Sequence, residues 1–506
     1  MEKELCPVIV GAAQFKQSKE TLNPLDPLRL MIKTCKMALD DSKTPFLKHY
    51  IDSIFMVNIN SWSYKDAPEK LSIALGIKPL KKVYLPDGGD TPQMLVNRAV
   101  KKIMTRKSQV ILITGAEAAY SLYQSQNGKI SLNWPVRRKP KYMEGNLWHG
   151  TSDFENKYNL IIPAYSYAIF ETSLRKFLNH SLEEHNSYIA KIFEKFSKIA
   201  SENPYAWENK SYSAEELITP APNNRAITHP YPKRLCSNVY VDQAAAIIIA
   251  SKKVVENLKI DQKKEIYPMG GVDFKNIFNI TQRPKLYNSP AARIGAKYVL
   301  KRARLKLEEI DLFDIYSCFP SIVEIIKNEI GLEEDDPRQL TITGGLPYFG
   351  GPWSNYSLHA IVTAVELIRK NPSLKIMIIA NGGYNTKQSF GVYGSIPSAN
   401  SIDTLKECRE QNIILNQKLP KPVVKANGNL KIEGYTIPFD RYGYPSRGIA
   451  IGILEDGRRA IGFIHIKPEL MKKLITEELV DRTFPIFYNS RVNLNLIRLN
   501  NLVKLS

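Results

Sequence analysis

Hydrophobic and polar positions near the start of the chain alternate between two periods, one typical of strands and the other of amphipathic helices. Asp26 and Pro27 mark a helix start, because aspartate caps a helix N-terminus and proline suits the first helical position. Strands that alternate with helices predict an α/β sheet. The pattern predicts these elements: strands at 7–14, 51–59 and 109–118, and helices at 26–42 and 92–108.

The same design recurs later in the chain. Residues 99–115 align without a gap on 364–380, and both segments read as the end of an amphipathic helix, a polar turn and an apolar strand. Residues 38–57 likewise match 299–317. Any two βα units share some likeness, but two matches in the same order predict two similar α/β halves.

Two further regions differ from these halves in composition and in hydrophobic pattern. Residues 119–240 are rich in Tyr, Trp, Asn and Pro, and 203–235 read as a long irregular insertion of the kind that often lines a site. Residues 428–466 alternate apolar and polar positions, with a hairpin signal at Asp456–Gly457. A short helix and basic strands follow. The predicted domains are these: a first half (1–118 with 241–262), an insertion (119–240), a second half (263–398) and a C-terminal β domain (400–506).

Charge and cysteine usage narrow the functional classes. A formal net charge of +20 favours anionic partners such as nucleic acid, acidic membranes or phosphorylated small molecules. Lys and Arg are spread thinly, with no zinc-finger spacing and no RNP-type aromatic motif, so nucleic-acid binding is not predicted. The five cysteines are far apart, without a C-x-x-C pair or a His cluster, so we expect neither a disulfide framework nor a metal site.

The N-terminal sequence bears on localisation. The apolar run in MEKELCPVIVGAAQF is only a handful of residues long, which suits a strand rather than a signal peptide or a membrane span. Together with the cysteine usage, this predicts a cytoplasmic protein without a membrane span.

The stretch TGGLPYFGGPWSNYSLHA (343–360) is the most distinctive loop. Glycine lacks Cβ and tolerates positive φ, so such a loop lets the backbone approach a ligand closely. Four of its glycines are therefore candidate binding residues: Gly344, Gly345, Gly350 and Gly351.

Five phrases in this order resemble the thiolase superfamily over residues 5–398: GGDTPQMLVN, NVYVDQAAAIIIAS, DIYSCFPSIVEI, TGGLPYFGGPWSNYSLHAI and IIANGGY. In particular, the chain resembles the thiolase-like proteins of type 1, whose extra C-terminal β domain of OB-like character matches 400–506. The resemblance implies a five-layer αβαβα fold of two similar halves and an acyl-CoA or CoA ligand without any other cofactor. It also implies a homodimer through edge strands, with 53–65 or 83–89 as contributors.

The sequence departs from the thiolase pattern at each catalytic position. Thiolases use a nucleophilic Cys at a helix N-terminus, a His on a Gly-His-Pro loop, a second Cys and an Asn or His that helps to form an oxyanion hole. The matching positions here are Asp90, Gly351, Ala380 and Tyr316. Asp90 is also a normal helix cap, the reading we favour over an acid–base role.

Other candidate residues lie in the same motifs. We interpret Cys318 as a small buried residue rather than a nucleophile, because the matching motifs contain no His to activate it; His359 reads as a helix residue. Three tyrosines, Tyr316, Tyr348 and Tyr384, could act as acid and base, as in thiolase-like aldolases, although aromatic packing is the simpler reading of each. The IIANGGY motif adds binding candidates: Asn381, Gly382 and Gly383.

Three functions remain open from the sequence. The first is a thiolase-like, acyl-CoA-binding protein of the acyltransferase family that lacks the usual Cys and His set. The second is a retro-aldolase or C–C lyase that acts on a CoA ester through tyrosines. The third is a non-catalytic acyl-CoA-binding scaffold. In each case Gly350, Gly351 and 380–384 are expected to converge with Tyr316, Tyr348 and the start of the GGDTPQ helix.

Overall fold

A computed structural model describes residues 3–145, 150–398, 404–466 and 468–499. The strands are β1 (Pro7–Lys16), β2 (Ser53–Met56), β3 (Lys81–Tyr84), β4 (Val110–Ala118), β5 (Ala226–Thr228), β6 (Tyr231–Pro232), β7 (Asp242–Ser251), β8 (Tyr267–Lys275), β9 (Leu312–Ile315), β10 (Ile376–Gly382), β11 (Lys387–Gly394), β12 (Gly428–Thr436), β13 (Ile449–Leu454), β14 (Arg459–His465), β15 (Thr483–Asn489) and β16 (Leu494–Arg498). The helices are α1 (Pro27–Asp41), α2 (Ala67–Leu75), α3 (Thr91–Met104), α4 (Ala119–Gln126), α5 (Asp153–Asn156), α6 (Pro163–Phe177), α7 (Leu182–Glu202), α8 (Ala214–Ile218), α9 (Lys252–Asn257), α10 (Pro290–Ala303), α11 (Pro320–Ile330), α12 (Tyr356–Lys370), α13 (Thr404–Asn416) and α14 (Pro468–Met471).

The two halves repeat one sheet topology. The first sheet has the order β1-β7-β4-β2-β3, in which β7 is antiparallel to β1 and β4, while β4, β2 and β3 are parallel. The second has the order β8-β11-β10-β9 with the same directions, one strand short. Beside β9, the backbone N–H groups of Phe313 and Ile315 donate to the carbonyls of Gln339 and Leu340, where β3 lies in the first sheet. The predicted repeat is confirmed.

Helices α3 and α12 form the layer between the sheets. Leu95 and Val96 of α3 and Ile361 and Val365 of α12 are fully buried in one apolar cluster with strands of both sheets. Helix α12 is buried on every side over its first ten residues, as the sequence predicts. Helix α3 is not, because Lys101 is exposed on one face. The outer layers are α1 and α2 on the first sheet and α10 and α11 on the second.

Two long helices form the central part of the insertion, so the expectation of a loop region is wrong there. Helices α6 and α7 have 15 and 21 residues. Helix α7 begins with a complete capping box, in which Ser181 and Glu184 each bond the other's backbone N–H. The same S-x-x-E pattern opens α8 at Ser213. These local signals were present in the sequence, whereas its Pro and Asn content pointed to a loop.

A segment of the insertion also contacts the last residue of the edge strand β3 and the loop that follows β2. Arg138 N–H donates to the Ser63 carbonyl at 3.0 Å, and Glu144 N–H donates to the Tyr84 carbonyl at 2.8 Å. We call residues 138–144 the edge segment. It occupies a backbone acceptor of β3, one of the two strands that the sequence offers for dimer pairing.

The C-terminal domain is a closed five-stranded barrel with the order β12-β13-β14-β16-β15. The predicted hairpin at Asp456–Gly457 joins β13 to β14, and Gly457 has φ +79°. Helix α13 lies outside the barrel, because Glu407 pairs with Arg302 of α10. The start of the predicted domain, 399–403, lies outside the described residues. None of the described helices is long and apolar enough to cross a membrane.

Candidate functional site

Asp90 lies at the N-terminus of α3, but its side chain does not cap the helix, so the favoured capping interpretation is wrong. The carboxylate is instead 3.1 Å from Nζ of Lys387 on β11, and both side chains are largely buried. The preceding loop is held by α12, since Gly88 N–H donates to Ser354 Oγ at 3.0 Å and Ser357 Oγ donates to the Gly89 carbonyl at 2.9 Å. A largely buried ion pair therefore lies at the start of α3.

Tyr316 and Gly382 both pack against the loop that leads to Asp90. A Cβ on Gly89 would lie 2.5 Å from the Tyr316 hydroxyl, and a Cβ on Gly382 would overlap the Asp90 carboxylate. Burial raises the pKa of Tyr316 well above its usual value, and the neighbouring Cys318 and Asp90 raise it further. This phenol therefore stays protonated near neutral pH and can donate a hydrogen bond.

A second group of predicted residues meets at Tyr167, which sequence reasoning missed. The Tyr167 hydroxyl, on α6, accepts hydrogen bonds from Asn381 Nδ2 at 2.8 Å and from the Asn385 backbone N–H at 3.2 Å. It also interacts with the Cys318 thiol. The ring of Tyr384 stacks on that of Tyr167 with centroids 6.3 Å apart. Tyr167 lies in the region predicted as a loop, so no motif in the sequence indicated it.

The structure contains no activated thiol–imidazole pair among these candidates. Burial raises the pKa of Cys318 to about 12. His359 is a buried residue of α12 whose Nδ1 is 3.0 Å from Gln14 Oε1, and burial lowers its pKa to about 3. Thiolate nucleophiles need a lowered thiol pKa or an adjacent base, and Cys318 has the opposite environment.

The glycines of 343–351 face the insertion rather than the Asp90–Lys387 pair. A Cβ on Gly344 would lie 2.6 Å from the backbone N of Ala200, and one on Gly350 would lie 3.3 Å from Cβ of Trp207. The other two glycines have the same kind of neighbour: Phe196 beside Gly345 and Ser237 beside Gly351. The Tyr348 side chain also lies against the insertion, with its ring centroid 6.0 Å from that of Tyr212.

A pocket of about 290 Å³ opens at the start of α3. Asp90 and Lys387 line it, together with acidic groups that include Asp87 and Glu144. A neighbouring pocket of about 320 Å³ shares Met94 and Asp273 with it and is lined by basic side chains: Arg98, Lys101 and Arg302. The first pocket is thus richer in carboxylates and the second in basic side chains, of which Arg98 pairs with Glu144 and Arg302 with Glu407.

Comparison with known families supports one assignment of the C-terminal region. Residues 411–482 match the family model described as the thiolase-like protein type 1 additional C-terminal domain. Among curated proteins, sterol carrier protein 2 of Gallus gallus is 26% identical over 223 residues. Benzoylsuccinyl-CoA thiolase subunit BbsB of Thauera aromatica is 25% identical over 142 residues. These matches span only 40% and 34% of the two relatives' lengths.

Solved structures extend the similarity over nearly the whole chain. A monomeric SCP2-thiolase-like protein type 1 from Mycobacterium smegmatis has a TM-score of 0.84 and 28% identity, and the match covers 98% of this chain and 99% of that one. The Ltp2-ChsH2(DUF35) aldolase has a TM-score of 0.58 and 16% identity, covering 78% of this chain and 98% of that one. The dimeric peroxisomal thiolase of Saccharomyces cerevisiae has a TM-score of 0.55 and 15% identity, with coverage of 78% and 98%.

Proposed function

Because this chain is a thiolase-superfamily protein with the additional C-terminal domain of the type 1 thiolase-like proteins, we propose that it binds CoA or an acyl-CoA without thiolase-type thiolysis. The observation that carries the proposal is the Asp90–Lys387 ion pair at the position of the nucleophile. A carboxylate paired with an ammonium group is a poor nucleophile towards a thioester. The thioester of a bound ligand would therefore not be attacked there.

The two connected pockets suit the two ends of such a ligand. Lys101 and two paired arginines, Arg98 with Glu144 and Arg302 with Glu407, would supply the positive charge for an anionic group such as a diphosphate. The pocket beside Asp90 is lined by both lysines and carboxylates, which can form hydrogen bonds with the amide groups of a pantetheine arm. The Met94 side chain lines both pockets and stands where that arm would pass.

Calorimetry with CoA and acetyl-CoA tests the binding site. Met94→Trp fills the passage between the pockets, so we expect it to weaken binding at least about tenfold, the loss of about 1.4 kcal/mol of binding energy. Met37→Trp is the matched control, because Met37 is a partly buried methionine on α1 that lines neither pocket. No binding to the parent protein, or equal binding by Met94→Trp, would contradict the proposal.

A C–C lyase is the second candidate, supported by the closeness of Tyr316 to Asp90. In a β-hydroxyacyl thioester, Asp90 would take the hydroxyl proton while the Cα–Cβ bond breaks to a carbonyl product and an enolate. Tyr316 would then give its proton to the enolate carbon. Release of an aldehyde or ketone from a β-hydroxyacyl-CoA, lost in Tyr316→Phe, distinguishes a lyase from a non-catalytic scaffold that binds CoA without turnover.

Self-association and location remain predictions. A homodimer would use β2 or β3, and the edge segment already occupies the Tyr84 carbonyl of β3. Light scattering decides between one chain of 57.5 kDa and twice that mass. The proposed cytoplasmic location is tested by fractionation.

A further inference from the structure

Two carboxylates and an imidazole meet in the interior, away from the Asp90–Lys387 pair. They are Glu171 of α6, His185 of α7 and Glu324 of α11, and each side chain is about 1% exposed. Nε2 of His185 is 2.7 Å from Oε1 of Glu171 and 3.7 Å from Oε2 of Glu324. The three ligand atoms all lie within 4.8 Å of one another.

Glu324 differs from the other two members of this cluster in the hydrogen bonding of its carboxylate. Within the described parts of the chain, neither of its carboxylate oxygens has a hydrogen-bond partner. Glu171 differs, because its Oε2 accepts a hydrogen bond from the Tyr231 hydroxyl at 2.6 Å. An uncompensated buried carboxylate costs several kcal/mol by order of magnitude, so Glu324 and the neighbouring Glu171 need either a shared proton or a bound cation.

The surrounding groups supply little of that charge. Lys327 is directed elsewhere, since its Nζ bonds the Tyr188 hydroxyl at 3.1 Å and also the Glu334 carbonyl. Nδ1 of His180 is 3.3 Å from Nδ1 of His185. This contact suits a His185 that donates from Nδ1 and presents the Nε2 lone pair to the carboxylates, the tautomer that metal-binding histidines adopt.

We propose that Glu171, His185 and Glu324 bind a divalent transition-metal ion. Carboxylate and imidazole together suit Zn²⁺ or Mn²⁺. With ligand bonds of about 2.1 Å, the edge of a tetrahedral site is about 3.4 Å long, between the 2.7 and 3.7 Å separations from His185. Small side-chain shifts therefore accommodate the ion, and a water completes the coordination.

The ion would add a further link between three helices that side-chain hydrogen bonds already join, such as the bond from Lys327 of α11 to Tyr188 of α7. Helices α6 and α7 belong to the insertion, and α11 belongs to the second half. Tyr167 lies one turn before Glu171, and Cys318 lies just before α11. The metal would thus fix the insertion against the second half close to the Tyr167–Cys318 contact.

Metal analysis of the full-length protein tests this inference. The chain is expressed without a polyhistidine tag in medium supplemented with ZnSO₄ or MnCl₂, and bound metal is measured by mass spectrometry after gel filtration. We expect about one ion per parent chain and a loss of about tenfold or more in Glu324→Gln. Glu334→Gln is the matched control, because Glu334 is an exposed neighbour outside the proposed ligand set.

Thermal unfolding separates a metal site from a proton shared between the two carboxyl groups. For a metal site, a chelator lowers the melting temperature of the parent and of Glu334→Gln but leaves Glu324→Gln unchanged. His185→Gln gives a second ligand variant if Glu324→Gln does not fold. A parent chain without near-stoichiometric metal under either supplement would overturn the inference, as would a folded ligand variant that retains the ion.

Discussion

The two glycine-rich loops of the second half, 343–351 and 380–384, differ in what fills the space beside their glycines. In the first, Gly344 packs against the backbone of Ala200, so helix α7 lies where a ligand was expected. In the second, Gly382 packs against the Asp90 carboxylate, which lines a pocket. The same residue type thus supports helix packing in one loop and leaves room for an ion pair in the other.

The largest expected effect is at Gly344. In Gly344→Ala the new Cβ meets the Ala200 backbone, which cannot rotate away, and φ is +107°. Gly331→Ala is the control, because Gly331 has φ +84° but no atom within 4 Å of an added Cβ. We expect about 1 kcal/mol from backbone strain in the control and about 1–3 kcal/mol more in Gly344→Ala, measured by urea unfolding. Equal losses would show that α7 does not restrict this loop.

A smaller effect is expected at Gly382, because the group it meets is a side chain. Gly382→Ala should displace the Asp90 carboxylate from Lys387 at a cost of about 1–2 kcal/mol. It should also weaken CoA binding if the pocket is the ligand site. Gly383 has φ +61°, and no atom lies nearer than 3.7 Å to a Cβ added there. Gly383→Ala should therefore leave CoA binding intact. Calorimetry on both variants checks this, and equal binding would separate the loop from the pocket.

The smallest effect concerns Cys318, whose thiol contacts the Tyr167 hydroxyl. With a pKa of about 12, roughly one thiol in 10⁴ is ionised at pH 8, so alkylation by iodoacetamide should be very slow and rise about tenfold per pH unit. The exposed Cys408 is an internal control that should react readily. Peptide mass spectrometry after timed labelling measures both. Cys318 alkylation as fast as that of Cys408 would contradict its interpretation as a structural residue.

Much of the fold could be predicted from the sequence, because its signals are local. Asp26 caps α1 through its side chain, as Pro27 at the first helical position suggested. The gapless match of 99–115 to 364–380 correctly identified β4 and β10 as equivalent strands of the two halves. Each of these signals depends on residues that are neighbours along the chain.

The site was less predictable, because its contacts join distant segments. Lys387 meets Asp90 across nearly 300 residues, and a cap motif cannot reveal such a partner. Tyr167 has an ordinary helical context until Asn381 is brought to its hydroxyl. The carboxylate–histidine cluster is similar, since its members are 14 and 139 residues from His185, and we had expected no metal site.

The edge segment beside β3 bears on how readily the chain aggregates during its synthesis. An exposed sheet edge is a template on which other chains aggregate. Here the covering residues follow β3 by about 60 positions, so during synthesis the strand emerges well before its cover. Nascent chains stopped before residue 138 would therefore present the Tyr84 end of β3 without the bond from Glu144.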